Sequence, residues 1–534
     1  MMTQVIKRRV SKAVALHTSG CLDEAEDLYR SVLGLQPQQF SALQGLGSLL
    51  LQTARYTEAH KILTDAVRLR PDDVGALNNL GSAALQCGDL DEARHCYERV
   101  LSIAPRHHQA QANLGVLLYK QGDMEASLTV FSDAIACNPE DAELHLNASR
   151  TYRTVGRLDD AAMLAQKAVN LSPKYFDGWI NLGTTQVALC RFKEAETSYR
   201  SALRLESQSP VAHHNLAQVL LQLGQLEEGW VEFEWRWRTP EFQESENVCA
   251  LPQWDGHPMK DGVLLIWVEQ GIGDQILYSS MVPEIKAAAQ KVILACSSRL
   301  VSLFARSFPF ASVVSQPDLL NDEAMLASIT AQISSGGLGQ YLRPNLNCFK
   351  GHSSLLAVDP GRVAMIREKY DALFPGRRRI GVSWCSTNPR SGHAKSISLK
   401  ALAPALKHTD VVLVDLQYGD TTSERNQFSS ATGLQLYRLP SIEPLTDLDG
   451  FAAHVATMDL VITVSNTTAH VAGGLGVPCW TLLPAGEGLR WYWFLDRGDS
   501  PWYPSIRLFR QAIPGDWTLV VNQISQALDH ILAT

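Results

Sequence analysis

The sequence predicts an all-α repeat superhelix followed by an α/β region built from two units. A six-residue pattern recurs every 34 residues over the first 230 positions, and a proline keeps the same step. A fixed period of this length is typical of stacked helix–turn–helix units. From residue 263 the period disappears and short apolar runs alternate with helical segments. That alternation indicates parallel sheets covered by helices.

The recurring pattern defines seven units. It starts at Gly20, Ala54, Gly88, Gly122, Gly156, Cys190 and Gly224, and the prolines are Pro37, Pro71, Pro105, Pro139 and Pro173. In the third unit we expect helices over 76–86 and 90–103, with the proline ending the second helix. Small residues at equivalent positions, such as Gly47 and Gly115, should let neighbouring helices approach closely. This domain, residues 1–238, resembles tetratricopeptide repeats along its whole length.

Five asparagines share one phase of the repeat. Asn79, Asn113, Asn147, Asn181 and Asn215 are spaced 34 residues apart. Equal phase puts them on the same face of successive first helices, which line the groove in the resembled repeat family. A carboxamide both donates and accepts, so the series can hold the backbone of an extended acceptor peptide. The alternative is local packing, because asparagine is common at this position of such repeats.

The seventh unit ends with large aromatic residues. Trp230, Phe233, Trp235 and Trp237 are too many large rings for an exposed last helix. We expect them to pack against the next domain and to fix its orientation. Residues 239–260 are then predicted to be a polar connector.

The second half predicts two Rossmann-like lobes, residues 261–375 and 376–534. Buried strands are expected at 263–268 and 291–296 in the first lobe. In the second lobe they are expected at 380–384, 411–416, 460–464 and 478–483. Two such lobes usually face each other across a cleft, with ligands at the carboxyl ends of the strands.

A glycine-containing loop follows the first strand. Gly271 and Gly273 allow a ligand to approach the backbone, and the helix N-terminus stabilises negative charge. The loop lacks both the third glycine of the dinucleotide fingerprint and the Gly-Lys of a P-loop, which excludes those two classes. Asp274 is a candidate general base, and helix capping is the structural alternative.

The segment 465–470 follows a buried strand and opens a helix. Asn466 or Thr467 is a natural N-cap, and free N–H groups of Thr467 and Thr468 are expected to hold a phosphate. His470 lies one turn into the helix. It either reaches the same anion or has a purely structural role.

Composition excludes several functional classes. With 46% hydrophobic residues, 19% charged residues and a net charge of −8, the chain is typical of a globular protein and has no basic stripe for nucleic acid. No run approaches the ~18 uncharged apolar residues of a membrane span, and no secretory signal is evident. The ten cysteines include no Cys-x-x-Cys pair, which argues against a disulfide framework or a structural zinc site. We expect a cytoplasmic protein.

Residues from about 250 to 525 resemble the catalytic region of bacterial tetratricopeptide-repeat glycosyltransferases. These are related to the heptosyltransferase-like glycosyltransferases of family nine. The matching stretches are 251–256, 269–274, 465–478, 499–505 and 507–511. The plan is also similar to that of the O-linked N-acetylglucosamine transferases, in which an asparagine ladder binds the acceptor polypeptide.

The resemblance implies a GT-B fold, a nucleotide-sugar co-substrate and no metal or other cofactor. It implies that Asp274 is the catalytic base, that Lys395 contacts the donor phosphate and that His470 matches a family histidine. The implied donor-binding residues are Gly271, Gly273, Lys395, Ser465, Asn466, Thr467, Thr468 and His470. Heptosyltransferases carry Asp-Thr-Gly before the helix, where this chain has Ser465, Asn466 and Thr467.

The leading hypothesis is a glycosyltransferase that moves a sugar to a protein hydroxyl while the repeat domain binds the acceptor. The family suggests flagellin or another abundant surface protein as the acceptor. One alternative is a repeat scaffold whose transferase module is catalytically silent, which the replacement of the family Asp by Ser465 favours. The other is a glycosyltransferase acting on a glycan or lipid precursor.

Overall fold

The computed structural model describes residues 2–240, 242, 251–351, 353–388, 391–408 and 410–533. The chain divides into two compact units, residues 1–185 and 186–534. Residues 241 and 243–250 of the predicted connector lie outside the described residues, and the predicted domain boundaries stay predictions. Among the helices of the described ranges, none combines the length and the apolar character needed to span a lipid bilayer.

The repeat region consists of helices in pairs, which confirms the predicted all-α architecture. Within the described residues, seven pairs are formed by the helices numbered α1 to α14. These span Met2–Thr18, Leu22–Leu35, Phe40–Gln52, Tyr56–Leu69, Val74–Cys87, Leu90–Ile103, His108–Gln121, Met124–Cys137, Ala142–Thr154, Leu158–Leu171, Phe176–Ala188, Phe192–Leu205, Pro210–Gln222 and Leu226–Phe233. In the third pair the observed limits lie within two residues of the prediction.

The first residue of the recurring pattern is left-handed in every repeat. At the five glycines φ lies between +76° and +86°. The other two are Ala54 with φ +56° and Cys190 with φ +60°. Glycine adopts this conformation without a steric penalty, whereas a residue with a Cβ does not. The glycine period therefore reflects a backbone requirement of the turn inside each helix pair.

Small residues let the two helices of a pair approach closely, as predicted. A Cβ added at Gly47 would lie 2.5 Å from the side chain of Leu63. At Gly115 it would lie 2.7 Å from the ring of Phe131. These distances are shorter than van der Waals contact, so the large neighbour occupies the space that a side chain would need.

The first α/β lobe contains a four-stranded parallel sheet within the described residues. Its strands are β1 Met259–Trp267, β2 Ala289–Cys296, β3 Ala311–Ser315 and β4 Ala331–Ser334, in the order β3-β2-β1-β4. Its helices are α15 Ile272–Ser279, α16 Val301–Ser307, α17 Gln316–Asn321, α18 Glu323–Ser328, α19 Leu338–Leu342 and α20 Pro360–Leu373. The direction of winding changes between β1 and β4. Sheets of this kind bind ligands at the carboxyl ends of such strands.

The second lobe contains a six-stranded parallel sheet within the described residues. Its strands are β5 Arg378–Ser383, β6 Val411–Asp415, β7 Leu436–Tyr437, β8 Leu460–Val464, β9 Cys479–Leu483 and β10 Ile506–Arg510, in the order β10-β9-β8-β5-β6-β7. Its helices are α21 Gly392–Lys395, α22 Leu399–Leu402, α23 Thr422–Thr432, α24 Leu448–Val455, α25 Thr467–Leu475 and α26 Thr518–Ala533. This is the order of a doubly wound sheet with its switch point between β5 and β8.

The aromatic end of the last repeat packs on the α/β region inside the unit 186–534, as predicted. Trp230 donates from Nε1 to the Arg343 carbonyl at 2.9 Å, and its ring centre lies 5.1 Å from that of Trp491. The Trp237 ring lies 4.8 Å from Trp267 on β1. These contacts join the last repeat to both lobes.

Trp235 is the exception to that prediction. Its ring stacks on His213 of the same repeat at 3.8 Å, and the Arg238 guanidinium lies 4.2 Å from its ring centre. Trp235 therefore supports the last repeat itself rather than the junction.

Replacing Ala54 by glycine should stabilise the repeat region. An L-residue in the left-handed conformation destabilises the folded state by about 1–2 kcal/mol. Glycine avoids this steric cost but loses more backbone entropy on folding, which offsets about 0.5–1 kcal/mol of the gain. We expect Ala54→Gly to raise the free energy of unfolding by about 0.5–1 kcal/mol. Urea unfolding followed by far-ultraviolet circular dichroism measures it. Ala83→Gly, inside α5, is the control and should lower stability. A loss of stability in Ala54→Gly would contradict the role of the turn.

Candidate functional site

One cavity of about 280 Å³ lies at the carboxyl ends of β1, β5 and β8. Most residues predicted for the site line it, although they come from both lobes. These are Gly271, Gly273, Asp274, Lys395, Ser465, Asn466, Thr467 and His470. Thr468 borders an adjoining cavity of about 190 Å³. The two sheets thus bring the two sequence motifs to one place.

A tight loop and the start of α15 carry Asp274 into the cavity. Gln270 has φ +63°, and Gly271 precedes the first residue of α15. A Cβ added at Gly273 would lie 2.8 Å from the His470 ring, so the glycine allows α15 and α25 to pack against each other. Asp274 lies in the first turn of α15, beside the first turn of α25.

The environment of Asp274 favours a role as a proton acceptor. Burial raises the pKa of its carboxyl, although Arg490, Lys395 and the Gly271 backbone favour the charged form. A raised pKa brings a carboxyl closer to the range in which a general base is both ionised and able to take a proton near neutral pH. The side chain is only half-buried and borders the cavity. A ligand in the cavity can therefore reach it.

Two cations border the cavity without an ion-pair partner among the described residues. Lys395 ends α21 and is 4% exposed, and Arg490 lies in the loop after β9. Burial and the nearby Arg490 lower the pKa of Lys395 to about 7, while Asp274 opposes the shift. Burying a cation near a second cation is unfavourable unless an anion compensates both. The cavity therefore has the electrostatics of an anion-binding site.

Asn466 connects β5 and β8, the strands on either side of the switch point. Its Oδ1 accepts hydrogen bonds from the Thr468 N–H at 2.9 Å and from the Thr463 hydroxyl at 3.0 Å. Its Nδ2 donates to Ser383 Oγ at 2.8 Å and to the Cys385 carbonyl at 3.1 Å. The predicted N-cap is confirmed. The prediction of a free Thr468 N–H is wrong, because the cap accepts its hydrogen bond.

The first residue of α25 keeps an open donor. No hydrogen bond within the described part of the chain engages the Thr467 N–H, and Thr467 borders the cavity. The Oγ1 of Thr468 is fully buried and has no partner in those residues. The helix N-terminus therefore still offers a backbone donor and its positive dipole to an anion, as expected.

His470 is held as a neutral imidazole. Burial and the nearby Lys395 lower its pKa to about 3. Its ring stacks on Trp493, and its Nδ1 lies 3.2 Å from the Tyr503 hydroxyl. With that hydroxyl donating to Nδ1, Nε2 carries the hydrogen and is the remaining donor of the ring. The neighbouring Ser465 Oγ accepts a hydrogen bond from Trp493 Nε1 at 2.8 Å.

The asparagine series divides into two kinds. Asn113 Nδ2 donates to Asn78 Oδ1 at 3.1 Å, and Asn181 Nδ2 donates to Ser149 Oγ at 2.8 Å. Both bonds join successive repeats, as the packing alternative requires. The other three side chains are not fully buried and have no hydrogen-bond partner among the described residues. These are Asn79, Asn147 and Asn215.

Sequence reasoning missed part of the cavity lining. Arg490 and Tyr492 come from the loop after β9, and residues 386–388 follow β5. Both segments follow buried strands whose carboxyl ends reach the same cleft, and that position is the signal by which they can be found. Within the described residues, no cluster of three or more His, Cys, Asp or Glu side chains has the arrangement of a metal site.

Comparison with known families identifies the repeats. A tetratricopeptide repeat model matches residues 44–94 and 81–142, and a second one matches residues 210–229. The chain therefore carries tetratricopeptide repeats, as the 34-residue period predicted. These matches cover less than half of the chain and leave the α/β region unassigned.

One curated relative aligns with a large part of the chain. The chain is 31% identical over 334 residues to Protein FlbA of Caulobacter vibrioides, which covers 60% of this chain and 55% of FlbA. The chain thus spans about half the length of that relative. Similar solved structures include a thermophilic TPR protein of Thermus thermophilus, TTC0263, at 21% identity over 34% of this chain and 99% of that chain, with a TM-score of 0.31. A tetratricopeptide repeat protein from Parabacteroides merdae is 15% identical over 45% of this chain and 97% of that chain, with a TM-score of 0.38.

Binding of an anion in the cavity should weaken as the pH rises through the pKa of Lys395. Because that pKa is lowered to about 7, the ammonium is charged below this pH and neutral above it. A diphosphate diester is a suitable probe because it keeps its charge over this range, and we expect it to bind roughly tenfold more weakly at about pH 8.5 than at about pH 6. Titration calorimetry measures the affinity. Lys395→Arg keeps its charge throughout and should remove most of the dependence. A wild-type affinity independent of pH would contradict the anion site.

Proposed function

We propose that the protein is a glycosyltransferase of the GT-B type that moves a sugar from a nucleotide-sugar donor to a hydroxyl group of a protein acceptor. The observation that carries this proposal is the cavity between the two sheets, where Lys395 and Arg490 lie beside Asp274. A nucleotide sugar has the matching chemistry, with a diphosphate for the cations and an anomeric carbon next to it. The resemblance of the α/β region to heptosyltransferase-like glycosyltransferases supports the same function.

The chemistry needs one base and a site for the leaving group. The acceptor hydroxyl gives its proton to Asp274 while its oxygen attacks the anomeric carbon. The bond between that carbon and the phosphate oxygen breaks, and the electron pair leaves with the nucleoside diphosphate. Lys395, Arg490 and the Thr467 N–H stabilise the charge that develops there, and such stabilisation is often the largest part of catalysis.

The repeats supply the surface for a protein acceptor. Asn79, Asn147 and Asn215 have side-chain donors and acceptors that no described residue uses. Such groups can pair with the N–H and C=O groups of an extended chain without reading its sequence. The acceptor is thus recognised mainly by its backbone. Flagellin or another surface protein is the acceptor class that the family resemblance suggests.

A catalytically silent scaffold is the second candidate. Ser465 stands where the resembled heptosyltransferases carry an aspartate, and Trp493 engages its hydroxyl. The position before α25 therefore offers no carboxylate to the donor. A silent scaffold would leave a radiolabelled nucleotide sugar intact, whereas a transferase hydrolyses it slowly even without an acceptor.

Removal of the base should abolish most of the activity without loss of donor binding. Asp274→Asn keeps the shape of the side chain but cannot take a proton, so we expect kcat to fall by about 100-fold or more. Sugar transfer from a labelled donor gives kcat, and calorimetry gives donor affinity. Asp261→Asn, on the exposed surface of the same lobe, is the matched control. An undiminished kcat in Asp274→Asn would remove the assignment of the base.

The two kinds of asparagine should respond differently to alanine. Asn79→Ala, Asn147→Ala and Asn215→Ala together should raise KM for a protein acceptor, with unfolding changed by less than about 0.5 kcal/mol for each site. Asn181→Ala breaks its buried bond to Ser149 and should cost about 1 kcal/mol of stability. Steady-state kinetics with intact acceptor and urea unfolding provide the readouts. If KM for the acceptor stays the same in the triple variant, the acceptor is a glycan or lipid, or it binds elsewhere.

A further inference from the structure

Arg236 and Glu269 form a buried ion pair in the unit 186–534. Arg236 belongs to the 3-10 turn Glu234–Arg238 that ends the last repeat, and its exposed fraction is 0%. Its Nε donates to Glu269 Oε2 at 2.8 Å, and its Nη2 donates to Oε1 at 2.7 Å. The guanidinium lies between Phe233 and Trp237, at 3.9 and 4.2 Å from the ring centres. The last repeat and the first lobe thus share one charge pair.

The remaining polar groups of the pair are also engaged. Arg236 Nη1 donates to Glu234 Oε1 at 2.8 Å, and Nη2 also donates to Ser334 Oγ, at the end of β4, at 3.0 Å. Glu269 Oε1 accepts a further hydrogen bond from the Gly336 N–H at 3.0 Å. Burial alone would lower the pKa of Arg236, but Glu269 and Glu234 raise it, so the guanidinium stays charged. The guanidinium therefore fixes the carboxyl ends of β1 and β4 together.

Glu269 begins the loop that carries Asp274. The next residue, Gln270, has φ +63°, and Gly271 leads directly into α15. A buried carboxylate cannot move away from its guanidinium without leaving an unpaired charge in the interior, which is strongly unfavourable. The start of the loop is thus fixed by a residue of the repeat region, and the path from there to Asp274 is short.

We propose that Arg236 is a positioning residue for Asp274, so that the turn ending the last repeat holds the catalytic loop in its reactive geometry. This inference rests on the proposed role of Asp274 as the base in glycosyl transfer. Displacement of a reacting group by about 1 Å can cost on the order of 100-fold in rate. The α/β region therefore depends on the last repeat for catalysis, beyond any role of the repeats in holding an acceptor.

Arg236→Lys tests the positioning with the charge retained. An ammonium cannot reproduce the two parallel hydrogen bonds of the guanidinium. We expect kcat to fall about tenfold or more while KM for the donor changes less than about twofold, because the donor cations are untouched. Arg238→Lys is the matched control, since Arg238 is exposed in the same turn and stacks on Trp235. It should leave both constants unchanged.

A double variant separates positioning from stability. Arg236→Met with Glu269→Met removes both buried charges, and the one carboxylate that loses its partner, Glu234, is partly exposed to solvent. The melting temperature of this double variant should therefore lie above that of Arg236→Met alone, which leaves Glu269 as an unpaired buried charge. The kcat of the double variant should nevertheless lie below that of the wild type, as in Arg236→Lys. Hydrogen exchange provides a readout without substrate, and the amides of residues 270–276 should exchange faster than in the wild type. Those of β10 should not change.

The outcomes distinguish this inference from the proposed function. If the wild type transfers sugar and either Arg236→Lys or the double variant keeps its full kcat, the positioning role is overturned and the proposed function stands. If the wild type neither transfers nor hydrolyses a nucleotide sugar, the proposed function fails. Hydrogen exchange at residues 270–276 then tests only whether Arg236 holds the loop that carries Asp274. Faster exchange in Arg236→Lys than in Arg238→Lys supports this role, and equal exchange overturns it.

Discussion

Two positive charges in one cavity determine what the α/β region can bind. Lys395 is almost fully buried, its ammonium group is near Arg490, and among the described residues neither has an ion-pair partner. Asp274 supplies one negative charge beside these two cations, so the cavity has an excess of positive charge that a bound anion would balance. Asp274 borders the same cavity, with a carboxyl whose pKa burial raises. Transfer from a phosphate-activated donor needs two such features: a site that binds the anionic leaving group and, next to it, a group that accepts a proton.

The topology explains how distant segments meet. In the second sheet the winding changes direction between β5 and β8, which leaves a crevice at their carboxyl ends. Asn466 bridges this crevice by bonding to groups at the ends of both strands. The first lobe adds Asp274 through the packing of α15 on α25, which requires a glycine at position 273. The last repeat completes the arrangement through the buried pair of Arg236 and Glu269.

The sequence allowed the repeats and the motif-bearing strands to be predicted because their signals are local. The glycine that recurs every 34 residues marks a left-handed turn, and the buried strand β1 contains a continuous apolar run at residues 263–267. Strands β4 and β7 are too short for such a signal, with four and two residues. The sequence also did not indicate that Arg490 lines the cavity or that Arg236 and Glu269 form an ion pair. Tertiary packing, rather than spacing along the chain, decides which groups these side chains contact, so no local pattern predicts them.

A structure of the protein with a bound nucleoside diphosphate would show whether this cavity holds the diphosphate of a sugar donor. We expect phosphate oxygens within hydrogen-bond distance of Lys395 Nζ, the Arg490 guanidinium and the Thr467 N–H. We also expect Asp274 to face the side where the sugar is attached. A diphosphate bound elsewhere, with Lys395 and Arg490 making no contact to it, would exclude this cavity as the donor site.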